Sequence, residues 1–72
     1  MGLIRKVSIG NDLKNAMHYQ VGSNVFSGTI SNIILEDGFF NIYVSDDDEI
    51  SKWKSFNSSA VSHIEYDTKN NG

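Results

Sequence analysis

The dipeptide Asp37-Gly38 limits this chain more than any other feature, because it stands between two runs that read as strands. Asp-Gly supplies the consecutive positive φ angles that a two-residue turn needs between right-twisted strands. Before it, residues 24–37 ("NVFSGTISNIILED") set Phe26, Ile30 and Ile34 among serine and threonine, the pattern of one long strand. Gly28 within that run predicts strong curvature or a bulge. After the turn, "FFNIYV" sends Phe40, Ile42 and Val44 one way and Phe39, Asn41 and Tyr43 the other. A hairpin of this kind needs further strands to bury its apolar face.

The rest of the chain supplies them. "LIRKVSI" (3–9) is rich in β-branched residues and ends at Gly10. "SDDDE" reads as a second hairpin tip, "ISKWKSF" (50–56) as the return strand, "NSSA" as a turn or a single turn of 3₁₀ helix, and "VSHIEY" (61–66) as a closing strand. In "NDLKNAMHYQ", Asn11 or Asp12 can cap a helix, Leu13, Ala16 and Met17 form an i, i+3, i+4 stripe, and Gly22 is a stop. The competing reading there is a loop leading into a strand at 17–21. No proline and no strand–helix–strand alternation occur. The expected architecture is mainly β with one short helix: a small, strongly bent, antiparallel five-stranded barrel. Residues 1–66 form its single domain and 67–72 a frayed polar tail.

Composition narrows function by exclusion. A chain of 72 residues makes one domain with one modest core. It has no cysteine, which removes disulfides, cysteine–zinc sites and a cysteine nucleophile. The formal charge of −3 at pH 7 argues against nucleic acid as a partner, since such binding depends on lysine and arginine neutralising phosphates. The start "MGLIRK" carries no apolar signal core, and no apolar run approaches the ~20 residues that span a bilayer. The expectation is a cytoplasmic protein without a membrane partner.

The order of elements resembles the SH3-like and Sm-like small barrels. A short helix leads into a bent strand with glycine ("VFSGTI"); a long hairpin follows ("FFNIYV…ISKWKSF"), then a one-turn connector and a closing strand ("NSSAVSHIEY"). "SAVSHIEY" resembles the closing segment of bacterial Sm-like RNA chaperones. That family binds RNA through a tyrosine-lysine-histidine run before the alanine; Asn57, Ser58 and Ser59 stand there in this chain, so no RNA-binding residue is carried over. Being short, acidic and free of cysteine, the chain is also similar in style to accessory proteins of tailed phages, which implies binding and inhibition of a host or defence protein.

Several residues are candidates for a site. On an ideal strand Lys52 and Lys54 face away from Trp53, which is either a core residue or an interface anchor. "DDDE" lacks the calcium-loop pattern and reads as a solvated tip. His18 and His63 have no third ligand or nucleophile beside them in the sequence, so neither a metal site nor a catalytic set is expected. If Phe40, Ile42 and Val44 are core, Phe39 and Tyr43 show an aromatic patch outside, a common mark of an interface. The chain therefore reads as a non-enzymatic binding module without a cofactor. Its expected protein interface is Phe39, Tyr43, Lys52, Trp53, Lys54 and His63, facing a host protein or a second copy. One alternative is a homo-oligomer sequestering a small phosphorylated or nucleotide ligand through Asn11, Lys14 and His18. Another is Sm-like RNA binding.

Overall fold

Among the described residues, 3–10 and 15–67 of this computed structural model, every regular element but one is a β-strand. They are β1 (Leu3–Ile9), β2 (Met17–Gln20), β3 (Asn24–Val25), β4 (Gly28–Glu36), β5 (Phe39–Asp46), β6 (Glu49–Asn57) and β7 (Val61–Asp67). The exception is a 3₁₀ turn, Ser58–Ala60, capped by the Asn57 side chain, which accepts from the Ser59 N–H at 2.9 Å. Two antiparallel sheets result, ordered β2-β1-β7 and β3-β4-β5-β6.

The sheets are joined where the chain leaves β2. The Val21 N–H donates to Arg5 O at 2.8 Å, Gly22 N–H to Ile30 O at 2.8 Å, and Ile30 N–H to Ser23 O at 2.9 Å. The outcome is seven strands in two antiparallel sheets, one of them curled into a half-barrel, where a five-stranded barrel with one short helix was expected.

The expected helix is replaced by strand where it can be seen. Met17–Gln20 pair with Lys6–Ile9, with Tyr19 opposite Val7. Alternation delivers Tyr19 to the core, a larger apolar burial than the Ala16–Met17 stripe offers. The competing strand reading of this segment is the correct one; Asn11, Asp12, Leu13 and Lys14 lie outside the described residues.

The core is Val7, Tyr19, Ile30, Ile33, Phe40, Ile42 and Val44, with Ile4, Ile9, Val21, Val25, Trp53, Phe56, Val61 and Ile64 packed around it. Bulges decide which residues reach it. Arg5 is an extra residue in β1, since Ile4 pairs with Tyr66 and Lys6 with Glu65; Ile4 and Val7 therefore both point inward and Leu3 is left exposed. Ser31 is extra in β4, between the pairs Ile30–Val44 and Asn32–Tyr43. That slip sends Ile33 inward and leaves Ile34 outside, against the expected Ile30–Ile34 face.

The expected long strand is broken as well. Val25 pairs with Gly28, so Phe26 and Ser27 form a hairpin tip and Phe26 is exposed. Gly28 has φ +139° and opens β4, and a Cβ there would meet the Ser45 carbonyl. The bend lies here because only glycine lets the two backbones come so close. Asp37 and Gly38 hold φ 53° and 80°, the turn that their sequence predicts. At the other tip Asp47 and Asp48 take φ 51° and 67°.

Candidate functional site

The outer face of the larger sheet is built by register. Glu36–Phe39–Asn57, Ile34–Asn41–Ser55 and Asn32–Tyr43–Lys52 are three cross-strand rows over β4, β5 and β6. Residues opposite each other on neighbouring strands share a face, so all nine side chains turn away from the core. Asn41 is the odd one. It is only 5% exposed although it points outward, because the larger side chains around it wall it in. Its Oδ1 accepts from the Ser55 hydroxyl at 2.8 Å, which satisfies a group that would otherwise be costly to bury.

Above that pair lies a hollow of about 310 Å³ lined by Glu36, Asp37, Phe39, Asn41, Lys52 and Ser55. Phe39 is 42% and Ile34 40% exposed. The surface thus has an apolar rim, a hydrogen-bonded polar floor, one ammonium and two carboxylates. That mixture can take a side chain of a partner into the hollow while water is excluded around it.

Trp53 is not part of this face. It is the extra residue of a bulge, since Ile42 pairs with Lys54 and Tyr43 with Lys52. The bulge turns the indole against the core, edge-on to Tyr19 with ring centres 5.8 Å apart. Tyr19 also packs on Phe56 at 5.4 Å. The same bulge ends the strict alternation that set both lysines opposite the tryptophan. Lys52 stays beside Tyr43, whereas the Lys54 ammonium sits 4.8 Å from the Trp53 ring centre, a cation–π contact.

His63 lies elsewhere again, on the smaller sheet. It pairs with Ser8, which pairs on its other side with His18. This row, which the sequence analysis missed, holds a hydrogen bond of 2.7 Å between Ser8 Oγ and His18 Nδ1. Ser8 is only 1% exposed, so its hydroxyl has no open approach for a substrate. Next to the row, Glu65 lies 3.7 Å from His63 Nε2 and 3.9 Å from Lys6 Nζ. Among the described residues no group of three or more histidine, aspartate or glutamate side chains could hold a metal ion.

The expected interface set is therefore divided. Phe39, Tyr43 and Lys52 are together, Trp53 and Lys54 form a pair at the core's edge, and His63 shares a row with His18. Asn11 and Lys14, expected beside His18, lie outside the described residues. Asn41 lies on this face with Phe39 and Tyr43, as alternation along the strand predicts, while Ile34 and Ser55 join it without having been foreseen. No protein-family model, curated protein or solved structure matches the chain.

Proposed function

We propose that the protein is a non-enzymatic binding module that acts through a protein interface on the outer face of β4, β5 and β6. The observation that supports this is the walled-in Asn41–Ser55 pair, ringed by Ile34, Phe39, Tyr43 and Lys52. A solvated sheet face has no need of three large apolar side chains around one amide. The face suits a partner that offers an apolar or aromatic anchor for the hollow and a carboxylate for Lys52. Occluding a host protein in this way would inhibit it without chemistry. The test is co-purification from the native cell with the wild-type chain and with Phe39→Asp/Lys52→Glu, two changes at exposed positions. A protein held stoichiometrically by the first and lost by the second supports the reading; equal retention refutes it.

A second reading, capture of a small phosphorylated ligand, draws on the other sheet. The Ser8 hydrogen bond fixes the His18 ring, and Lys6 and His63 lie on the same face. A melting temperature that rises with phosphate or nucleotide, and no longer does so in His18→Ala, would favour it.

A further inference from the structure

The free edges among the described residues are the outer edges of β2, β3, β6 and β7, and the side of β4 away from β5 beyond Ile30; β2 and β3 are protected by their shortness, at four and two residues. A free edge offers unpaired N–H and C=O groups to another strand, and proteins guard such edges with charge and bulges. β6 is guarded by Lys52, Lys54 and the Trp53 bulge. β7 is guarded by a bulge at Ser62 and by His63, Glu65 and Asp67. The β4 edge, Ser-Asn-Ile-Ile-Leu-Glu over residues 31–36, has no lysine, and its only bulge lies at its start.

That edge borders a cleft of about 610 Å³, lined by Leu3, Ile4 and Arg5 of β1, Val21, Ser31–Ile34 of β4, and Asp67. β1 and β4 meet at the Val21–Gly22 hydrogen bonds and are unpaired beyond them. Leu3 is 76% exposed at the mouth.

We infer that a second copy of this chain fills the cleft, pairing its β4 edge antiparallel with the same edge of the first to make a two-fold dimer. Such an axis stands perpendicular to the sheet, so residues that meet must belong to the same face. Setting Ile34 opposite its own counterpart satisfies this. It brings Ile33 opposite the second copy's Leu35, and Asn32 opposite the second copy's Glu36. Centring the pair on Ile33 instead would set Glu36 against Ile30, whose N–H and C=O are already bonded to Ser23 and Gly22.

Charge selects the same register. Arg5 and Asn32 both line the cleft, and neither Arg5 nor Glu36 has an ion-pair partner among the described residues. The dimer gives each Arg5 a Glu36 from the other copy, twice by symmetry. Because the axis closes the arrangement, pairing stops at two copies. The inference is independent of the partner proposed above, and it would place two copies of the Phe39 hollow on one continuous sheet.

The test is sedimentation equilibrium of the pure full-length chain. A concentration-dependent dimer is expected. Arg5→Glu or Glu36→Arg alone should weaken it by about tenfold or more, from two lost pairs and two new repulsions, and the double swap should restore it. Ile34→Lys, which sets like charges on the axis, should leave only monomer. A measurement that needs no variant is amide hydrogen exchange against protein concentration: protection should rise at residues 32–36 and not along β6 or β7. A chain monomeric up to about 1 mM overturns the inference. So does a dimer indifferent to both single swaps, or one whose protection grows on β6 or β7. Because the protein is pure, none of these outcomes depends on whether the Phe39 face binds a different protein.

Discussion

Replacing Gly28 with alanine tests the bend that makes this fold a half-barrel, and Gly38→Ala is its internal control. Both glycines hold positive φ, +139° and +80°. An alanine with positive φ costs about 1–2 kcal/mol at either place. The difference is space. A Cβ at Gly38 meets nothing within 4 Å, whereas one at Gly28 runs into the Ser45 carbonyl oxygen, with Ser45 C at 3.1 Å and Asp46 Cβ at 3.3 Å. Backbone cannot rotate away as a side chain does, so β4 and β5 must part, and overpacking of this kind adds about 1–3 kcal/mol. The expected losses are about 1–2 kcal/mol for Gly38→Ala and about 2–5 kcal/mol for Gly28→Ala, out of a total near 4–11 kcal/mol for a domain of this length. Urea unfolding followed by circular dichroism reads both. With a slope near 1 kcal/mol/M the midpoints should fall by about 1–2 M and about 2–5 M. Equal losses in the two variants would refute the close approach of β4 to Ser45 and with it the account of the curl.

Three further predictions follow from single contacts. Trp53→Ala should cost about 2 kcal/mol, less than a fully buried tryptophan because the ring is only partly covered, and the emission of this sole tryptophan should be blue-shifted in the native state and move red on unfolding. His18→Ala should cost about 1–3 kcal/mol by leaving the buried Ser8 hydroxyl unpaired; Ser8→Ala added to it should then cost little more, a coupling that a double-mutant cycle measures. Asp48→Gly should stabilise by about 0.5–1 kcal/mol, since φ +67° is strained for aspartate and free for glycine, and thermal unfolding will show it.

The sequence made the local turns legible and left the slips between strands invisible. Asp37-Gly38, the one-turn connector at Ser58–Ala60 and the inward face of "FFNIYV" are encoded by neighbours in the chain, so they could be read. The bulges at Arg5, Ser31 and Trp53 are set by how two strands pair across the sheet, and each one reverses the side on which every later residue lies. That is why Ile33 rather than Ile34 is core, and why Lys54 lies over the indole it was expected to oppose. Tyr19 was misplaced for a related reason. A short apolar stripe fits a helix and a strand equally well, and only the partner strand, with Val7 opposite, decides. In the candidate face, Phe39 and Tyr43 came from alternation alone, while the Asn41–Ser55 bond and the Ser8–His18 bond join residues 14 and 10 positions apart and had no signature in either segment.

The central claim, that this protein works by presenting the Phe39–Tyr43 face to another protein, is tested most directly by native mass spectrometry of the chain drawn gently from its own cells. The account predicts a stoichiometric complex with one other protein for the wild type and its loss in Phe39→Asp/Lys52→Glu. The same complex carried unchanged by that variant would contradict it.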